Sequence, residues 1–153
     1  MPYVSVVTNV PMNAAKTAAV LEAVTEAVAQ GTGKGAKYVM ASVLPGTPMR
    51  FTKGDGPCAY VEVKSLQMPS SQTPGLTHLL MEALAACAGI DGERVYIEYA
   101  SGSLDMWGMG RPAGAKTMMM QKSLDAGAPP KRGDADAKAE KAKTSRSGSP
   151  RRQ

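Results

Sequence analysis

Two residues have the types and placement for acid–base chemistry. Pro2 follows the initiator methionine, and a small second residue generally allows that methionine to be removed. Removal leaves proline at the chain end with a free secondary amine. An α-amino group titrates near about 8, and both an apolar pocket and a nearby cation disfavour its protonated form. A nitrogen brought close to neutrality is a usable general base, and the pyrrolidine ring fixes its lone pair relative to the strand that follows. Lys34 is the candidate cation, and its ammonium would also anchor an anionic substrate. Each residue has a plainer reading too: proline fills about one position in twenty of any chain, and Lys34 by position alone is a solvated loop lysine.

Other chemistries find less support. The chain has one histidine, His78, and two cysteines, Cys58 and Cys87. That set excludes a disulfide framework and a zinc site built from Cys and His alone. His78 falls beside the apolar stripe of a predicted helix and reads as a surface or core-edge residue. Gly31-Thr-Gly-Lys-Gly looks like a phosphate loop only superficially, because it follows a helix where a phosphate loop follows a strand and opens a helix. No metal and no cofactor is expected.

The elements that must position Pro2 and Lys34 are legible from periodicity. Residues 3–8 are rich in β-branched side chains and read as a strand that Pro2 opens. Asn13 stands as an N-cap before a helix whose stripe is Thr17, Val20, Leu21, Val24, Ala27 and Val28, stopped by Gly31 and Gly33. Residues 38–44 form a second strand, with Lys34 in the loop before it, so Pro2 and Lys34 can reach the same end of a sheet. The pattern then returns: a strand over 59–66, a helix opened by Thr73-Pro74 with the stripe Leu76, Leu79, Leu80, Ala83, Leu84 and Cys87, an end at Gly89, and a strand over 95–99. Tyr3 and Tyr60 stand 57 residues apart, and Tyr38 and Tyr96 stand 58 apart. The chain is a strand–helix–strand unit written twice. Each unit suits a right-handed parallel crossover, and the two can share one four-stranded sheet with both helices on one face. Strands 38–44 and 95–99 carry apolar residues at both parities, which implies burial on both sides. Self-association would cover the second face, so a homo-oligomer is expected.

Charge separates this part of the chain from the rest. Of 153 residues, 1–110 hold 7 Lys+Arg against 9 Asp+Glu, while 111–153 hold 11 against 4. The net basicity behind the formal charge of +5 therefore resides wholly in the last segment, where Ala, Gly, Pro, Ser and Lys/Arg dominate. The expected organisation is a folded domain over 1–110 and a basic, low-complexity, disordered tail over 111–153, free to attract acidic partners or nucleic acid weakly and without sequence preference. The start of the chain has neither a basic region nor a long apolar run, and no apolar stretch approaches the length that spans a bilayer. A cytoplasmic protein is expected, or one exported by a route that needs no leader.

Residues 1–110 resemble the macrophage migration inhibitory factor and D-dopachrome tautomerase family. The likeness is carried by Met1-Pro2, Thr8-Asn9-Val10-Pro11, Thr32-Gly33-Lys34, Pro57-Cys58-Ala59 and Asp91-Gly92-Glu93-Arg94-Val95-Tyr96-Ile97, in order and at matching spacing. It implies an α/β fold: a duplicated βαβ unit with a four-stranded mixed sheet, assembled as a homotrimer whose sheets face a central channel. It implies keto–enol tautomerisation of aromatic α-keto acids such as phenylpyruvate, or of dopachrome-like compounds, without a cofactor. Carried over by position, Pro2 is the base that shuttles the proton and Lys34 binds the substrate carboxylate or enolate. Leu66 supplies a backbone contact, and Tyr38, Tyr96, Trp107 and Met109 line an apolar pocket between subunits. For the tyrosines and Trp107, core packing is an equal alternative. Glu98 joins this group at a position where many members have Asn. The resemblance equally implies an alternative, a cytokine-like or regulatory binding protein with a cell-surface receptor and vestigial catalysis. Two further departures are visible. The second cysteine of a Cys-x-x-Cys pair is absent from Cys58-Ala59-Tyr60-Val61, and the family's usual C-terminal segment is replaced by Trp107-Gly-Met-Gly-Arg-Pro-Ala, without its closing phenylalanine.

Overall fold

A computed structural model of the chain describes residues 1–52 and 54–108. Met109 and the basic segment 111–153 lie outside the described residues.

Alternating β-branched residues make Pro2–Thr8 a strand, β1, with Pro2, Val4, Val6 and Thr8 buried and Tyr3, Ser5 and Val7 half-buried on the other face. Asn13 caps the helix that follows, α1 (Ala14–Thr32), by accepting a hydrogen bond from the Lys16 amide at 2.8 Å. The helix ends at Gly33, whose φ of 65° turns its N–H back onto the Ala29 and Gln30 carbonyls. Gly31, read from the sequence as a stop, instead lies inside the helix. Its missing side chain is what lets the second helix approach: a Cβ there would stand 2.7 Å from Leu76 Cδ1 and 3.2 Å from Leu76 Cα.

The second strand also departs from expectation. It begins at Met40, not at Tyr38, and runs to Leu44 as β2. The Tyr38 and Val39 amides bond back to Gly35 and Ala36, closing a 3₁₀ turn over Ala36–Tyr38 that takes Tyr38 out of the sheet. β3 (Ala59–Leu66) has its expected bounds. In α2 (Thr73–Ala88) Thr73 is the first helical residue and Gln72 takes the cap position. β4 (Val95–Gly102) runs three residues past its expected end, because Ala100, Ser101 and Gly102 continue the ladder with Lys64, Ser65 and Leu66.

The strands lie in the order β2-β1-β3-β4. β1 pairs β2 in parallel and β3 pairs β4 in parallel, while β1 and β3 meet antiparallel at the centre. This is the doubled βαβ unit and the four-stranded mixed sheet. Both helices pack on one sheet face, where Val4, Val6, Val61 and Val63 meet Val20, Val24, Val28, Leu76, Leu80 and Leu84 in one core. Of the predicted stripe on α2, Leu76, Leu80 and Leu84 are fully buried, and Leu79, Ala83 and Cys87 pack around them. The opposite face presents Tyr3, Ser42, Tyr60, Glu62, Lys64, Tyr96 and Glu98. Burial of the outer strands on both sides is not reached within one chain: Met40 and Tyr96 are 69% and 65% exposed.

Two of the sequence motifs prove to be one structural joint. The Thr8 hydroxyl donates to the Cys58 carbonyl at 2.7 Å and accepts from the Val10 amide. Asn9 donates to the Gly56 carbonyl and accepts from the Cys58 amide at 2.8 Å. The joint locks the exit of β1 to the entry of β3, at the opposite end of β1 from Pro2.

Candidate active site

Pro2 is buried at the first position of β1, and its partner across the antiparallel ladder is Ser65. Lys34 arrives at the same place from the other side. The Gly33 cap directs the chain off the end of α1, and the Lys34 ammonium donates at 2.6 Å to the Ser65 hydroxyl and at 2.6 Å to the Leu66 carbonyl. Paired residues across an antiparallel ladder have their α-carbons about 4.5–5.5 Å apart, so the ammonium is one side chain away from the proline. Leu66 itself is fully buried, and its main-chain oxygen is what it contributes.

A cleft of about 600 Å³ opens beside Pro2. Met1, Pro2, Tyr38, Met40 and Trp107 are among its walls, together with Lys37. The 3₁₀ turn that removes Tyr38 from the sheet is therefore what places it here. Trp107 is seated by Gly102: a Cβ on that glycine would stand 3.2 Å from Trp107 Cε3 and 3.7 Å from Leu66 Cδ2. One chain thus brings Pro2, Lys34, Leu66, Tyr38 and Trp107 to one end of the sheet.

Tyr96 and Glu98 are not brought there. Ser101 lies in the row of Pro2 and Ser65, and Tyr96 is five residues back along β4. At about 3.3 Å per residue that is about 17 Å, on the uncovered face. Tyr96 packs against Phe51 with ring centroids 4.9 Å apart. The Glu98 carboxylate accepts a hydrogen bond from the Tyr60 hydroxyl, which holds that phenol above the usual tyrosine range. Arg94 organises the loop behind this pair, donating to the Pro57, Gly54 and Gly56 carbonyls at 2.9, 3.2 and 3.0 Å. Met109 lies outside the described residues.

Three neighbours of the site escaped the sequence reading. Ser65 interrupts the inward series Val61, Val63, and a lone hydroxyl at an otherwise apolar inward position was a usable signal. Lys37 and Gly102 carried none, since a loop lysine and a glycine near a strand end are ordinary. The remaining sequence candidates stay out of the site. His78 is exposed, with Nε2 3.4 Å from Glu82 one turn on. Cys58 is a buried free thiol and Cys87 a half-buried one. Among the described residues no three His, Cys, Asp or Glu side chains are grouped to hold a metal ion, and no helix is long and apolar enough to cross a membrane.

A doubled βαβ unit on a mixed four-stranded sheet, with proline at the first strand's first residue, defines a tautomerase-type α/β protein. The family described as "Macrophage migration inhibitory factor (MIF)" matches residues 1–118, and the chain belongs to that family. It is 35% identical to macrophage migration inhibitory factor of Mus musculus over 100 residues, covering 65% of this chain and 86% of the mouse protein. Among solved structures it is similar to macrophage migration inhibitory factor of Toxoplasma gondii (29% identity, TM-score 0.66, 71% of this chain and 96% of that one). The homologue from Prochlorococcus marinus is alike to a similar degree (30% identity, TM-score 0.66, 71% and 95%). Family membership supports a tautomerase or cytokine-like role in general terms.

Proposed function

We propose that the chain is a keto–enol tautomerase of aromatic α-keto acids such as phenylpyruvate, or of dopachrome-like compounds, with Pro2 as its base. The observation that carries this reading is the burial of Pro2 on a cleft wall, one ladder partner away from the Lys34 ammonium. Loss of Met1 turns the Pro2 nitrogen from an amide into an amine inside that cleft. Apolar walls and the neighbouring cation both favour its neutral form. The amine takes a proton from the carbon next to the keto group, the electron pair moves onto the carbonyl oxygen, and Lys34 stabilises the enolate. Pro2 then returns the proton to carbon or oxygen. Ser65 and the Leu66 carbonyl hold the Lys34 ammonium in place, while Tyr38 and Trp107 receive the aromatic ring.

The working unit in this reading is a homotrimer, with the uncovered sheet faces turned to a central channel. A neighbouring subunit then supplies Tyr96 and Glu98 to the cleft that its own chain leaves without them. The exposure of Tyr96 and Met40 supports this, because both then gain cover. The alternative is a cytokine-like or regulatory binding protein with vestigial catalysis, and Glu98 is the residue that favours it: a carboxylate on the wall opposes an anionic substrate.

The test is phenylpyruvate ketonisation followed by absorbance, wild type against Pro2→Gly, with both proteins shown by mass to lack Met1. General-base loss lowers kcat/KM by about a hundredfold or more. A wild type that carries a free Pro2 and does not turn over gives the binding-protein reading precedence.

A further inference from the structure

The proton shuttle at Pro2 makes no use of Lys37, yet Lys37 lines the same cleft. It sits in the middle of the Ala36–Tyr38 turn, and its ammonium lies 5.0 Å from the centroid of the Tyr38 ring. A cation over an aromatic face is drawn to that face, which holds a flexible lysine head against the wall. Among the described residues of one chain no carboxylate reaches ion-pair distance of Lys37, and no Asp or Glu lines the cleft; Glu98 is the carboxylate that a neighbouring subunit would bring to it in the proposed trimer. Lys34 is held differently. Its ammonium donates to Ser65, the ladder partner of Pro2, and to the Leu66 carbonyl, at the Pro2 end of the cleft. The two lysines thus bracket the cleft, one beside the reacting proline and one on the Tyr38 wall.

We infer that Lys37 is a second anion-binding residue of this cleft, and that the substrate class carries a further anionic group at the end remote from the keto acid. The inference rests on the proposed tautomerase reading, which gives the keto acid end to Lys34. A cleft of about 600 Å³ is in the range that encloses a whole small ligand, so both ends of one molecule fall within it. Lys37 is exposed, and a pair at such a site contributes about a fivefold preference, which salt screens.

Trp107 is the only tryptophan in the chain and lines this cleft, so its fluorescence reports binding without any need for turnover. The probes are 2-oxohexanoate and 2-oxoadipate, which share a chain length and differ in the terminal carboxylate. Wild type is expected to bind 2-oxoadipate about fivefold more tightly, with the ratio falling to about one in Lys37→Gln and in high salt. Lys16→Gln removes the same charge from the far end of α1 and keeps the ratio. A ratio of one in wild type overturns the inference. So does an undiminished ratio in Lys37→Gln, and so does equal weakening of both acids, which would make Lys37 the partner of the shared keto carboxylate. Hydrogen exchange next to the carbonyl in heavy water, followed by NMR, reports the base separately. If Pro2→Gly exchanges as fast as wild type, the tautomerase reading fails, and the binding ratio still judges Lys37.

Discussion

Gly31→Ala sets helix propensity against packing, and the geometry decides between them. Alanine in place of glycine within a helix is worth at most about 1 kcal/mol, and less at the second-to-last position of α1. Against it stands a new Cβ at 2.7 Å from Leu76 Cδ1, 3.1 Å from its Cβ and 3.2 Å from its Cα. Leu76 is fully buried, so its methyl has no open space to enter. The last of these approaches is to main chain, so relief requires the two helices to part. Overpacking of this kind costs about 1–3 kcal/mol, and the expected net loss is about 1–2 kcal/mol. The assay is denaturant unfolding by far-ultraviolet circular dichroism at one fixed protein concentration, on a cycle of Gly31→Ala, Leu76→Ala and the double variant. Leu76→Ala alone costs about 2–5 kcal/mol. It removes the Cδ1 clash but leaves the approaches to Cβ and Cα at 3.1 and 3.2 Å, so Gly31→Ala on that background should cost less without becoming free, a coupling of about 1 kcal/mol. A Gly31→Ala protein as stable as wild type, with no coupling to Leu76, would refute the claim that this glycine sets the helix separation.

Arg94→Ala strips the donors from the Pro57, Gly54 and Gly56 carbonyls; it should cost about 2 kcal/mol and speed tryptic cleavage after Arg50, and unchanged cleavage would show that the loop holds itself. Arg94→Lys should recover little, because one ammonium cannot reproduce a guanidinium fork. Glu98→Gln should bring the Tyr60 phenol back down towards about 10, read as the difference in phenolate absorbance between proteins with and without Tyr60→Phe. The sign follows from linkage: a phenol raised in the folded state adds stability that is fully present below about 10 and is lost as pH rises through the raised value. A Tyr60 titration indifferent to Glu98 would mean the contact does not persist in solution.

The repeat, the helix stripes and the strand at 59–66 were legible because each is a local period that burial on one face enforces. What escaped was set by register and by close approach. Nothing in the sequence places Ser65 opposite Pro2; that follows from the antiparallel pairing of β1 with β3, a contact between distant segments. Gly31 looked like a terminator because its neighbour across the helix interface, Leu76, is 45 residues away. Tyr38 looked like a strand residue, and only the turn at Gly35 and Ala36 turns it into a cleft wall. Residue types located Pro2 and Lys34 correctly at one sheet end, since both flank elements whose ends were readable. Tyr96 and Glu98 were named only through family likeness, and one chain leaves them about 17 Å and about 10 Å away by strand spacing.

The doubling of the unit has a consequence for how many bases one polypeptide can hold. Ala59 begins β3 as Pro2 begins β1, 57 residues later, and it too is buried, at 3% exposure. Its nitrogen, however, belongs to a peptide bond, and resonance with the carbonyl leaves it no basic lone pair. In the proposed reading, where loss of Met1 frees the Pro2 amine, two similar strand starts share a single amine, because a chain has one amino end. The second start then takes no part in the proposed proton transfer. Here it serves as an anchor instead, with Cys58 just before it clasped by Thr8 and Asn9.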